Sequence, residues 1–149
     1  MTGIEHARPA EILLVEDSPT DILLAKEALR FSKVYNNLHT VMDGVEAMEF
    51  LRKEGQYANV PSPDIILLDL NMPRMDGREV LKEIKSDEHL KFIPVVVLTT
   101  SEDEIDVLKA YGLHANCYIV KPVDFMKFVD VLKTIEVFWF VVVKLPVKG

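Results

Sequence analysis

Runs of aliphatic residues recur along the chain and alternate with segments whose apolar positions fall three and four apart. ILLVE (12 to 16), IILLD (65 to 69), VVVLT (95 to 99) and YIV (118 to 120) read as strands covered on both faces, and LHTVM (38 to 42) as a weaker fifth. The first helix opens at Ser18, Pro19 and Asp21: a capping residue, a proline suited to the first turn and an acid at the positive end of the dipole. Ile22, Leu23, Ala25, Ala28 and Leu29 form its apolar face. A second helix runs from about Val45 to Lys53 and stops at Gly55. A third covers about Arg78 to Ser86 with Val80, Leu81 and Ile84 inward, and a fourth begins near Glu102 with acids in its first turn and ends at Gly112. The fifth follows Pro122 and continues towards Val143. This alternation predicts an α/β fold, a doubly wound five-stranded parallel sheet with right-handed crossovers. Ligands in such sheets bind beyond the carboxyl ends of the strands, which makes those ends the place to look for chemistry.

Length and composition narrow the picture without changing it. The 149 residues fit one domain, with a core over about 10 to 136 and an apolar extension over about 137 to 149, and 49 % apolar with 28 % charged residues is ordinary for a globular chain. A net charge of -7 argues against a direct nucleic-acid binder, which would need a basic patch. The lone Cys117 excludes an internal disulfide framework and reads as a small buried hydrophobe in a reducing compartment. The N-terminus lacks the apolar stretch of a secretory signal, and VFWFVVV (137 to 143) is too short to span a bilayer. A cytoplasmic protein with no membrane partner is expected. The connection EGQYANVPSPD (54 to 64) is long for a helix-to-strand link and reads as an ordered spacer or a partner contact.

The strand ends carry the chemistry. The first strand ends in Glu16 and Asp17 and the third in Asp69, and adjacent strands would bring these three carboxylates to one edge. Like charges so placed either raise a pKa or enclose a hard divalent cation, and oxygen donors without nearby His or Cys favour magnesium over zinc. His6, His39, His89 and His114 lack metal-ligand spacing and read as surface or structural residues. The fourth strand ends in Thr99, followed by Thr100 and Ser101, and the fifth in Lys121 and Pro122. A hydroxyl and an ammonium at the same edge suit a phosphoryl group, with Asp69 as the nucleophile that would form an acyl phosphate. Each residue alone has a plainer explanation in helix capping, turn chemistry or solvation; five of them at strand ends in one alternating pattern do not.

These residues, with LLDLNMPRMDG around Asp69 and YIVKP around Lys121, resemble the receiver domain of bacterial two-component response regulators over nearly the whole chain. The resemblance implies the flavodoxin-like strand order 2-1-3-4-5. It also implies a site: one Mg2+ held by Asp17, Asp69 and the backbone carbonyl of Asn71, with Glu16 acting through water, phosphoryl acceptance on Asp69, and Thr99 and Lys121 on the phosphoryl oxygens. Glu16 stands where aspartate is more usual, which keeps the charge. The long loop, AYGLHANCYIVKPVDF and IEVFWFVVVKLP narrow the likeness to stand-alone regulators paired with cyanobacterial phytochrome kinases, so a sensor histidine kinase, of phytochrome type, is the expected partner.

The same resemblance makes Thr99 and Tyr118 a switch, the ring turning into space the hydroxyl vacates; a static half-buried ring is the plainer alternative. It also makes Lys121–Pro122 a candidate cis bond. The 28 residues after Lys121 suffice for one helix and a tail, so no further output module is expected. Their second apolar surface, with Phe138, Trp139, Phe140 and Val142, suggests a homodimer, or else a tail folded over its own sheet. A metal-dependent aspartyl-phosphate phosphohydrolase is the competing activity, although no general acid or cap is evident. A flavin or dinucleotide carrier fails on VEDSPTD, which is acidic where a phosphate cradle would be glycine-rich.

Overall fold

The computed structural model describes residues 9–30, 35–72, 74–122, 124 and 126–134. Five strands, β1 (Ala10–Val15), β2 (Asn36–Val41), β3 (Ile65–Asp69), β4 (Val95–Thr99) and β5 (Cys117–Val120), form one sheet in the order β2-β1-β3-β4-β5, and every pairing is parallel. The expected strand order and class are observed.

Strand alternation divides the core in two. Ile12, Leu14, Ile65, Leu67, Val96 and Leu98 point to one face. There they meet Ile22, Ala25, Ala28 and Leu29 of α1 (Pro19–Arg30) and Phe128 and Leu132 of α5, the helix over 126–134. Leu13, Val15, Ile66, Leu68, Val95 and Val97 point to the other. That face is covered by α2 (Gly44–Leu51), α3 (Gly77–Ser86) and Leu108 of α4 (Glu102–Ala110). Each central strand is thus sealed on both sides, which explains why its sequence is aliphatic throughout.

Three strands differ from their expected bounds: β5 begins one residue earlier, at Cys117, and β1 and β2 each end one residue earlier, at Val15 and Val41. β1 and β2 each begin two residues earlier, because their ladder continues down to Ala10 opposite Asn36. β2 lies at the sheet edge, where polar residues are tolerated; Asn37 and His39 both bond the Glu11 carboxylate, at 2.9 and 2.7 Å. His39 is therefore structural, as expected. The long connection 54–64 contains a single 3-10 turn, Gly55–Tyr57. Tyr57 pins it by packing its ring, tilted, against Phe50 at 5.3 Å and donating to Glu46 at 2.5 Å.

The link from β3 to α3 is bound tightly to the strand it leaves. Asp76 caps α3, accepting from Arg78 and Glu79 N–H groups, while Gly77 N–H donates to Leu70 O at 3.0 Å. A Cβ at Gly77 would lie 2.3 Å from Asp69 O and 2.6 Å from Leu70 Cα, both backbone atoms that cannot step aside. Arg74, at φ 64, clamps the same link to the α2 cap with two bonds of 2.9 Å to Asp43. Gly77→Ala is therefore expected to lower stability by about 1–3 kcal/mol through overpacking, read as a lower urea midpoint at unchanged slope. An unchanged midpoint would show that the approach to Asp69 is slack.

Candidate functional site

The carboxyl ends of β1, β3, β4 and β5 deliver Glu16 and Asp17, Asp69, Thr99 and Lys121 to one edge. Glu16, Asp69 and Thr99 are only 1 %, 4 % and 0 % exposed, so the polar groups there must satisfy one another. Three carboxylate oxygens, from Glu16, Asp17 and Asp69, lie within 4.8 Å of one another. Lys121 Nζ closes the cluster: it donates to Glu16, lies 2.9 Å from Asp21 Oδ2 and 3.7 Å from Asp69 Oδ2. One ammonium serves three acids.

That imbalance sets the protonation energetics. Burial, with Asp69 adding to it, raises Glu16 from its ordinary 4.5 to about 7 even though Lys121 pulls the other way. Burial alone would lower the Lys121 pKa, but the bonds to Glu16 and Asp21 and the charges of Asp69 and Glu16 raise it, so the lysine stays charged. A carboxyl raised in the folded chain contributes stability that is complete below about 4.5 and lost as pH rises through about 7. A hard divalent cation relieves the same repulsion, and the all-oxygen donor set fits one.

Local structure fixes the orientation of these groups. Ser18 N–H donates to Glu16 Oε2 at 3.2 Å and Ser18 Oγ caps α1 through Asp21 N–H, so the acidic turn is held by the helix start. Asn71 N–H donates to Asp69 Oδ1 at 3.2 Å. Thr99 Oγ donates at 2.9 Å to Glu104, which also takes the Asn71 side-chain amide at 3.2 Å and the Arg78 guanidinium at 3.5 Å. Glu16, Asp17, Asp69 and Lys121 come together, Thr99 ends the neighbouring strand with its hydroxyl on Glu104, and Asn71 sits beside Asp69. Tyr118 is bound differently from a free rotor: its hydroxyl accepts from Ala115 N–H at 2.8 Å and donates to Leu113 O at 3.3 Å, with Lys109 5.0 Å from its ring. No peptide bond among the described residues is cis, so Lys121–Pro122 corrects the expectation; the lysine reaches the acids from a trans backbone. Phe138, Trp139, Phe140 and Val142 lie outside the described residues.

Sequence reasoning missed Asp21, read only as a helix-start acid, and the pair Glu104 and Arg78. The signal for Glu104 was its place in the first turn of α4, five residues after Thr99, which becomes meaningful once the helix folds back over the strand end. A cavity of about 510 Å³ between α2 and α3, lined by residues such as Arg52, Lys82 and Glu83, shares no residue with the acidic cluster. Convergent carboxylates, and not concavity, mark this site. Among the described residues no helix is long and apolar enough to cross a membrane.

Comparison with known proteins agrees with this geometry. The response regulator receiver domain family matches residues 12–133. Response regulator Rcp1 of Synechocystis sp. is 50 % identical over 142 residues, which cover 95 % of this chain and 97 % of that protein. The phosphorylated cyanobacterial phytochrome response regulator RcpA superposes with a TM-score of 0.86 at 53 % identity, covering 93 % of this chain and 99 % of the other. The Mn2+-bound form of Rcp1 superposes with a TM-score of 0.84 at 50 % identity, with the same coverage.

Proposed function

This chain belongs to the response regulator receiver family, and from that membership we propose that Asp69 accepts a phosphoryl group from a phosphohistidine of a sensor kinase. One Asp69 oxygen forms the new bond to phosphorus while the bond from phosphorus to the histidine nitrogen breaks, its electron pair remaining on the imidazole. Asp17, Asp69, the Asn71 carbonyl and, through water, Glu16 are the groups to hold Mg2+. Bound there, such a cation supplies charge neutralisation to the transferring oxygens. Lys121 gives the phosphoryl group a fixed positive partner, and Thr99 gives it a hydroxyl donor. The product is a signalling state of the protein and not a released metabolite.

The observation that carries this reading is the cluster itself: three acids within 4.8 Å of one another, with a buried ammonium 3.7 Å from Asp69. A phytochrome kinase is the partner supported by the likeness to regulators so described. The apolar 137–149 segment is the surface we assign to a homodimer, and the cytoplasm the compartment. Incubation with a phytochrome histidine kinase, pre-labelled on its histidine, should move the label to this chain within minutes when Mg2+ is present. Label that stays on the kinase while acetyl phosphate still labels the regulator would remove the pairing.

A further inference from the structure

Glu104 has no part in the roles just assigned, yet it holds the hydroxyl those roles require. Its Oε1 takes the Thr99 hydroxyl at 2.9 Å and the Asn71 side-chain amide at 3.2 Å. Its Oε2 is buried, lies 3.5 Å from Arg78 and takes no hydrogen bond among the described residues. A carboxylate with donors on one oxygen and a guanidinium near the other is placed as a bound anion would be.

The competition follows from proton count. A threonine hydroxyl has one proton, so Thr99 can donate to Glu104 or to an anion on Asp69, not to both. Its other acceptor, Ser101 O, is at 3.4 Å, too long to compete with Glu104, while Ser101 N–H donates to the same hydroxyl at 3.3 Å and leaves its proton free to choose. Added negative charge on Asp69 also repels the Glu104 carboxylate through Asn71, whose N–H holds Asp69 while its amide holds Glu104. We infer that Glu104 is an internal competitor for the phosphoryl site: it occupies Thr99 in the unphosphorylated protein and releases it when an anion forms on Asp69. The inference rests on the acceptor reading of Asp69 given above.

Release has a mechanical outlet. Leu108 is the one buried residue of α4, so the helix is held to the sheet edge by few groups, and the Glu104 contacts lie in its first turn. Freeing Glu104 loosens the start of α4 at the moment the anion arrives. The state of Asp69 is thereby passed to a helix it does not touch.

Beryllofluoride, a non-transferable stand-in for the phosphoryl group, provides the test when titrated with Mg2+ and followed by calorimetry. Glu104→Ala should bind it about tenfold more tightly than the unaltered protein, the value of one charge-assisted hydrogen bond no longer broken. Glu104→Gln, which still accepts from Thr99 but carries no charge, should fall between, and it keeps the test available if the truncation unfolds the chain. In a Thr99→Ala background the gain should shrink to what charge repulsion alone supplies, because the hydrogen-bond competition runs through that hydroxyl. Equal or weaker binding by both Glu104 variants, or the same gain without Thr99, overturns the inference while leaving Asp69 as acceptor. Absence of binding by the unaltered protein instead overturns the acceptor reading, and the competitor with it.

Discussion

Asp69→Asn is expected to take up no label from acetyl phosphate and Mg2+, a fall of at least about 1000-fold against the unaltered protein, as loss of the nucleophile causes in enzymes that work through a covalent intermediate. The carboxylate oxygen is the only group at the β3 end able to form an acyl phosphate; a neutral amide in the same place is a poor nucleophile. The fold should persist. An amide oxygen still accepts the Asn71 N–H that now donates at 3.2 Å, and removing one charge eases the repulsion that helps hold Glu16 near 7. Urea midpoints should therefore be equal to or higher than those of the unaltered protein. Label on the unaltered chain should survive acid and be lost in alkali, and equal labelling of the asparagine variant would place the phosphoryl group elsewhere.

The second large effect concerns Lys121, whose side chain is 9 % exposed and which faces Glu16, Asp21 and Asp69 at once. Lys121→Met should cost about 3–5 kcal/mol in denaturant unfolding without divalent cation, since breaking a buried pair leaves charge uncompensated. The sign of its pH dependence is fixed by Glu16. Without the ammonium that now lowers its pKa, Glu16 takes up a proton more readily, so the variant can neutralise part of the damage at low pH. The deficit should accordingly be larger at pH 8 than at pH 6, and millimolar Mg2+ should recover part of it. A deficit independent of pH would mean that the lysine acts by packing alone.

The central strands β1, β3 and β4 were readable because each is sealed on both faces, so IILLD and VVVLT admit little besides aliphatic residues. The exception was β2, an edge strand whose polar start, Asn36 and Asn37, is stabilised by partners in β1 that no local pattern reveals. The acids and lysine at the strand ends were likewise readable, because a charge directly after an apolar run requires compensation. Their sharing was not: Asp21 reaches Lys121 from 100 positions away, and Glu104 reaches Thr99 only because α4 turns back over β4. Tyr118 shows the same limit. Its spacing before Lys121 marked the residue, but the backbone that binds its hydroxyl belongs to the preceding loop.

The ammonium that balances the acids comes from Lys121, directly after β5 and 105 positions beyond Glu16. The β1–β3 pairing that joins Glu16 to Asp69 closes a shorter loop than the contact with Lys121, and the longer closure costs more chain entropy. Any assembling chain that pairs β1 with β3 first would carry those acids without their ammonium. Refolding is therefore expected to be faster with millimolar Mg2+ than with a chelator, and equal rates would show that the acids impose no barrier.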